Sequence, residues 1–394
     1  MTGQKTSNNP LLKLWNDKES RSVIIQIISF AIIIGFFAYV INNAVVNLAA
    51  IGKDIDFSFL FTTSSYDINQ SLIDYTSRST HFEAGLVGLI NTLLIAVFGI
   101  VIASVLGFTL GVMRLSKNWL TQKLAYIYIE YMRNVPVLLH ILLIYGVMVN
   151  VLPKTKQAIS FNDTFFLSNR GLMSPTGTAE PAFLLVISVF VLCVIGAIGY
   201  RYFAKRAQEK MGKIYPVMWV TLAAIVVVPS IVYVLAGSPI TWEYPVLKGF
   251  NFKGGMVIRP EFIALLLALS MYTAAFIGEI VRGGILAVSH GQTEASYALG
   301  MTPSRTLSLV VIPQAMRVII PPLTSQYLNL TKNSSLAIAI GYMDIVATVG
   351  GISLNQTGRE MESMAIVLTL YLVMSLLISS VMNWYNNRIQ LVNR

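Results

Sequence analysis

Charged side chains are scarce in this chain: Asp, Glu, Lys and Arg make up 12% of its 394 residues. Soluble globular domains carry about 25% charged residues, so this scarcity excludes an ordinary soluble enzyme or binding domain. Hydrophobic residues make up 55% of the chain and gather in long runs. A run of about 20 apolar residues is long enough to cross a bilayer. The composition therefore predicts a polytopic membrane protein.

Cysteine and histidine are also rare. The single cysteine, Cys193, lies in an apolar run and excludes a disulfide framework. The three histidines, His81, His140 and His290, are far apart and lack the spacing of metal ligands. We therefore expect no metal ion and no cofactor. The net charge of +10 does not by itself indicate a nucleic-acid partner, because in a membrane protein the distribution of basic residues carries the information.

The chain also lacks the motifs of an energy-consuming enzyme. It contains no G-x-x-x-x-G-K-[ST] phosphate loop and no recognisable Ser/His/Asp set. We therefore predict that the chain is not an enzyme, and that any ATP used on its behalf is hydrolysed by a partner chain.

Hydropathy predicts an all-α bundle of about eight transmembrane helices. The predicted spans are 22–42, 86–112, 124–152, 182–200, 216–236, 261–284, 318–340 and 364–385. The first apolar run is longer than the apolar region of a signal peptide, about 7–15 residues, so we expect an uncleaved helix.

Lysine and arginine set the predicted orientation, because they are enriched in cytoplasmic segments. With the N-terminus inside, seventeen of these residues fall in inner segments and nine in outer ones. The asymmetry predicts that both termini are cytoplasmic. It also predicts that the polar island Ser289–Pro313, which lies between two apolar runs, faces the cytoplasm.

The local chemistry of this island predicts two short helices meeting at a bend. Residues 289–299 have a helix-forming composition, and Gly300 stands where a helix would end in a left-handed residue. Thr302 and Pro303 are typical of an N-cap followed by proline at the first helical position. Such a rigid bent element can transmit a push, which a flexible loop cannot.

The island resembles the EAA loop of bacterial ABC-importer permeases, whose pattern is EAA, three residues, G, nine residues and I-x-L-P. Here the pattern reads Glu294-Ala295-Ser296, Gly300 and Val310-Val311-Ile312-Pro313, with three mild departures, at Ser296, Val310 and Ile312. The resemblance implies that a separate ATPase docks on this loop. The coupling residues that it implies are Glu294, Ala295, Gly300, Pro303 and Pro313. An ordinary amphipathic connector is the alternative.

Three further segments resemble one branch of these permeases, the polar amino acid family for His, Arg, Gln, Glu and opines. They are Tyr272–Gly284, Arg133–Leu139, which departs from the family motif at Asn134 and Val135, and Gln326–Leu336. The resemblance implies the type I importer permease (MetI-like) fold. One span before the core and two inserted within it resemble the larger permease subunits of general L-amino acid importers, the AapQ/BztB type.

The resemblance also implies a domain organisation and partners. Residues 1–85 would form a cytoplasmic tail, the first helix and a periplasmic loop, and 86–385 the permease domain. The permease domain would contain an inserted helix pair at 182–236 and the coupling loop at 288–317, with a tail at 386–394. The implied partners are an ATPase dimer, a second and homologous permease chain, a periplasmic amino-acid-binding protein and the amino acid itself, in the bacterial inner membrane.

Polar residues within the spans are candidates for a substrate path, because they are costly in lipid and usually face protein or water. Glu279 shares a helical face with Arg282, as a gate or as a structural ion pair. Lys332 forms one polar stripe with Asn329 and Asn333, which either lines the path or packs against the sister subunit. Tyr272 and Thr273 are milder candidates, because hydroxyl groups within spans more often bridge helices.

Two other functions remain open at this stage. A gradient-driven transporter would use Glu279 or Asp344 for protons and would work without partners. A membrane scaffold or sensor would transport nothing. The EAA-like loop argues against both, since neither needs an ATPase.

Overall fold

The protein is described by a computed structural model that covers residues 17–50, 52, 54–213 and 215–389. The start of the predicted N-terminal tail and the end of the C-terminal tail lie outside the described residues. In chain order the helices are α1 (Lys18–Ala50), α2 (His81–Met113), α3 (Trp119–Asn134), α4 (Val137–Asn150), α5 (Phe183–Met211), α6 (Val217–Leu235), α7 (Pro260–Leu286), α8 (His290–Ala298), α9 (Pro303–Thr306), α10 (Ile312–Asn333), α11 (Leu354–Thr357) and α12 (Glu360–Ile389).

The prediction of a predominantly α-helical, multi-pass membrane protein is confirmed. Seven helical segments of the described chain are long and apolar enough to cross a membrane, and a bent pair brings the number to eight. The seven are α1, α2, α5, α6, α7, the continuous helix Pro303–Ile340 and α12. The helix Pro303–Ile340 contains α9 and α10. It includes wider π-helical turns at Leu307–Val311 and ends in a tighter 3₁₀ segment, Ser334–Ile340.

The third predicted span, 124–152, is wrong as a single helix. It consists of α3 and α4, which meet at an angle of 105°. The break falls at Val135, whose ψ of 132° is extended, and Pro136, whose ψ is 136°. Proline disfavours the helical conformation in the residue before it, so Pro136 ends α3 at Asn134. Hydropathy alone merges the two helices because only Val135 and Pro136 separate them, which is too few residues to appear as a polar loop.

Two segments, one between α4 and α5 and one between α6 and α7, contain eight short strands. The strands are β1 (Ile159–Phe161), β2 (Phe165–Ser168), β3 (Gly171–Ser174), β4 (Thr176–Ala179), β5 (Ile240–Glu243), β6 (Val246–Lys248), β7 (Asn251–Lys253) and β8 (Met256–Ile258). They pair as an antiparallel sheet of order β1-β2-β3-β8 and as two ladders, β4-β5 and β6-β7. Two of these pairings, β3 with β8 and β4 with β5, join a strand before α5 to a strand after α6.

The chain divides into two compact units. The smaller comprises residues up to Ile68, Ile73–Leu89 and Ile345–Val373, and the larger comprises Asn69–Leu72, Ile90–Asp344 and the residues from Met374. In the smaller unit, Ile345, Val349 and Val367 form an apolar cluster. In the same unit, His81 Nδ1 lies 2.8 Å from the hydroxyl oxygen of Ser353.

The centre of the larger unit is α7, which packs against α3, α4 and α10. Its buried residues include Leu265, Leu269 and Ile277, none of which has solvent-accessible surface. Close packing against α2 depends on glycine. A Cβ atom at Gly107 would lie 2.5 Å from the Cβ of Ile277, and one at Gly111 would lie 2.6 Å from that of Val281. Small residues four apart let membrane helices approach closely.

Candidate functional site

The loop between α7 and α10 contains the bend that its sequence predicts. Helix α8 ends at Ala298, and Gly300 follows with a φ of 76°. The Gly300 amide donates to the Tyr297 carbonyl at 2.9 Å, and the Met301 amide donates to the Ser296 carbonyl at 3.1 Å. These two bonds form a Schellman motif, which satisfies the last carbonyls of the helix. The end of α8 is therefore fixed by backbone hydrogen bonds.

The helix after the bend begins at Pro303, as its sequence predicts, but the prediction that it is short is wrong, because it continues without a break to Ile340. Thr302 has extended backbone angles, φ −69° and ψ 153°, although its side chain makes no capping hydrogen bond. The helix widens over Leu307–Val311 and returns to ordinary α geometry at Ile312, immediately before Pro313. Proline has no amide hydrogen and crowds the preceding turn, so Pro313 accounts for the local widening. Pro313 thus shapes the entry of the loop into the long helix.

Helix α8 is tied to the spanning helix by a side-chain contact that the sequence motif does not reveal. Gln314 Nε2 donates to Gln292 Oε1 at 3.1 Å. On the same helix the buried Ser296 hydroxyl donates to the Gln292 carbonyl at 2.7 Å. This bond explains why serine is tolerated where the EAA pattern has alanine. Gln292 therefore joins α8 to the first turn of α10.

The outer face of the bend is exposed in this chain. Glu294 lies on it, and its Oε1 is 3.0 Å from Nδ1 of His290. Leu299, at the end of α8, is 82% exposed. The remaining predicted coupling residues, Ala295, Gly300, Pro303 and Pro313, are exposed too. A carboxylate next to an exposed leucine on a rigid turn is a suitable surface for another protein.

Within the spans, Glu279 is held by two arginines. Its Oε1 accepts from Nε of Arg282 at 2.9 Å, and its Oε2 lies 3.9 Å from Nη2 of Arg114. The spacing predicted the contact with Arg282, whereas Arg114 comes from the residues after α2 and was missed. All three side chains are partly exposed. The cluster therefore has the contacts of a structural ion pair.

The polar stripe on α10 is accessible in this chain. Asn329 and Lys332 are exposed and Asn333 is half-buried. Lysine and asparagine are costly in contact with lipid, so a polar surface within a span must meet protein or water. The stripe therefore faces something other than hydrocarbon, as a path or a subunit contact would require.

The two remaining candidates, Tyr272 and Thr273, lie on α7 and not on α10. Tyr272 is half-buried and packs against the rings of Phe276, at 5.0 Å, and His140, at 6.2 Å. Thr273 is buried. Within the described chain, the buried Nε2 of His140 has no hydrogen-bond partner. The guanidinium of Arg133 lies 5.4 Å from the centre of the Phe276 ring.

Together these features define a polytopic α-helical membrane protein with a rigid, exposed loop between two packed spans. Residues 211–391 match the family described as binding-protein-dependent transport system inner membrane component.

Three relatives match over nearly the full chain. The general L-amino acid transport system permease protein AapQ of Rhizobium johnstonii is 46% identical, over 96% of this chain and 94% of its own. The putative amino-acid ABC transporter permease protein YhdX of Escherichia coli is 45% identical, over 100% and 98%. The glutamate/glutamine/aspartate/asparagine transport system permease protein BztB of Rhodobacter capsulatus is 44% identical, over 96% of both chains. The chain therefore belongs to the permease subunits of ABC importers, of the long AapQ/BztB type.

Proposed function

We propose that this chain carries L-amino acids across the bacterial inner membrane, as one of two permease subunits driven by a separate ATPase dimer. The observation that carries the proposal is the bend at Gly300, which presents Glu294 and is tied to α10 through Gln292. Closure of an ATPase docked there would move α10, because the loop is rigid on both sides of Gly300. The full-length relatives named for amino acid transport support the substrate class.

The proposal extends to the surroundings of the chain. Residues 86–385 act as the transport domain, the termini lie in the cytoplasm, and a periplasmic binding protein delivers the amino acid from the other side. The second permease subunit is a homologous chain. The prevalence of lysine and arginine in the inner segments supports this orientation.

Docking is tested by co-purification from native membranes of the unaltered chain and Glu294→Lys. The control is Glu180→Lys, the same charge reversal at an exposed residue outside the loop. We expect an ATPase with the unaltered chain and with the control, and its loss with Glu294→Lys. Equal recovery in all three forms would remove Glu294 from the docking contact. Uptake by the chain alone, driven by an ion gradient, would replace the whole proposal with a gradient-driven transporter.

For the substrate path we propose the exposed stripe of Asn329, Lys332 and Asn333, with Glu279, Tyr272 and Thr273 as further lining groups. Lys332 would offer its ammonium to the carboxylate of the amino acid. In a reconstituted importer, Lys332→Gln is expected to raise KM for uptake while the ATPase still co-purifies. The matched control is Lys253→Gln in β7. Unchanged KM together with loss of the second permease chain would assign the stripe to the subunit contact instead.

A further inference from the structure

A cavity of about 650 Å³ lies between α5 and α6, and no residue of the coupling loop or of the polar stripe on α10 lines it. Its volume is in the range of pockets that hold small molecules, about 300–1,000 Å³. One end is apolar and is lined by Val194, Ile198 and Ile225. At the other end stand Arg201 and Lys205, and the lining includes no carboxylate. The cavity is thus amphipathic along its length, with positive charge at one end.

The depth of the two basic residues follows from the length of α5. The helix has 29 residues, so it is about 43 Å long at 1.5 Å per residue. The hydrocarbon core of a bilayer is about 30 Å thick. Arg201 lies about 27 Å along the axis from Phe183, the first residue of the helix. If α5 enters the hydrocarbon at Phe183, Arg201 reaches the level of the lipid headgroups on the opposite side.

Aromatic residues mark the same level. Tyr215, which lines the cavity just before α6, packs against Tyr200 at 6.5 Å and Phe203 at 5.9 Å between ring centroids. Tyrosine is enriched where the membrane meets water. The cavity therefore passes from the hydrocarbon to the interface at the position where its lining changes from apolar to basic.

The two basic side chains are available to a ligand. Both Arg201 and Lys205 are exposed. Nζ of Lys205 lies 3.9 Å from Oε1 of Glu209, which is itself exposed and does not line the cavity. Such a surface contact is worth little, so it does not neutralise the mouth of the cavity.

We propose that this cavity binds an anionic phospholipid, with an acyl chain along the apolar end and the phosphate ester against Arg201 and Lys205. Basic pockets between membrane helices recognise anionic headgroups in this way. The occupant is a lipid rather than free phosphate because most of the lining is apolar and continuous with the hydrocarbon.

The test uses the full-length chain in nanodiscs, with native mass spectrometry after transfer to a neutral detergent. Discs of phosphatidylcholine containing phosphatidylglycerol are compared with discs of phosphatidylcholine alone. We expect one phosphatidylglycerol molecule to stay bound and no phosphatidylcholine to do so. The double variant Arg201→Gln, Lys205→Gln is expected to bind this lipid about 25-fold more weakly, from about fivefold for each charge removed.

Two variants serve as controls. Lys210→Gln with Lys213→Gln removes the same charge from exposed residues outside the cavity, and is expected to retain the lipid. Arg201→Lys with Lys205→Arg preserves the charge and is also expected to retain it, which separates charge from misfolding. Equal retention by the Gln double variant and the unaltered chain would overturn the proposal. So would displacement of the lipid by millimolar inorganic phosphate, which would identify a simple anion site.

Discussion

Gln314 and Gln292 join the exposed helix α8 to the spanning helix α10 through one hydrogen bond of 3.1 Å. The two residues are 22 positions apart, on either side of the bend at Gly300. A hydrogen bond of this kind stabilises a structure by about 0.5–1.5 kcal/mol. The contact therefore fixes the angle at which a force applied to α8 reaches the membrane.

Removal of this contact is expected to weaken coupling. Gln314→Ala should lower uptake about two- to tenfold at unchanged ATPase content, from the loss of about 0.5–1.5 kcal/mol. Gln292→Ala should have a similar effect, and the double variant should be no worse than either single one, because both remove the same bond. Uptake assays in reconstituted vesicles, made for the unaltered chain, the two single variants and the double variant, measure these effects. Fully additive losses would show that the two side chains act separately.

Gly300 is expected to tolerate asparagine but not valine. No atom lies within 4 Å of the Cβ that a substitution would add, so the constraint is the φ of 76° alone. A left-handed conformation costs an L-residue about 1–2 kcal/mol, whereas asparagine adopts it more readily than β-branched residues. Gly300→Val should lower uptake while membrane insertion, followed by surface-accessibility labelling, stays normal. Normal uptake by this variant would contradict a coupling role for the bend.

Gly107→Val is expected to destabilise the larger unit. The new side chain would collide with Ile277, and overpacking of this kind costs about 1–3 kcal/mol. Gly146→Val in α4 is the matched control, because no atom lies within 4 Å of its added Cβ. Thermal unfolding in detergent should show a lower midpoint for the first variant only. Equal midpoints would mean that α2 and α7 can move apart without cost.

The segment around Asp56 is expected to loosen in acid. The Ser58 hydroxyl donates to Asp56 at 2.5 Å and the Ser58 amide at 2.8 Å, and these bonds hold the pKa of the Asp56 carboxyl below its usual value of 3.8. Arg359, 3.6 Å away, lowers this pKa further. A lowered pKa means that the stabilisation is present above the unfolded-state pKa, near 4, and is lost as the pH falls through the folded-state value.

Hydrogen exchange of residues 54–61, corrected for the intrinsic rate, measures this effect. We expect protection to fall below about pH 4 in the unaltered chain. Asp56→Asn should start from lower protection and lose less of it in acid. A variant that responds to acid as strongly as the unaltered chain would assign the effect to another group.

The bend at Gly300 and the start of α9 were predictable because glycine after a helix, and threonine followed by proline, act through backbone geometry within a few residues. The break at Pro136 depends on equally local chemistry, but only two residues separate α3 from α4, so hydropathy shows no loop there. Glu279 and Arg282 were predictable as a pair because they lie on one turn of α7. All three of these features depend on residues that are close in the sequence.

Contacts between distant residues were not predictable in this way. Arg114 reaches Glu279 only because α2 and α7 pack closely at Gly107 and Gly111, and sequence spacing carries no trace of that packing. The β4–β5 ladder pairs Thr178 with Thr241 across 63 positions. A strand is recognised in a sequence by the alternation of apolar and polar residues. Strands of three or four residues are too short to show this alternation clearly.

The sheet has one consequence for the architecture of the chain. Ser174 in β3 and Met256 in β8 are register partners in an antiparallel ladder. Opposite residues in such a ladder have Cα atoms about 4.5–5.5 Å apart. The two ends of the segment 175–255, which contains α5 and α6, therefore lie next to each other. It has the geometry of a cassette, whose two ends a tight turn could join to give a shorter permease.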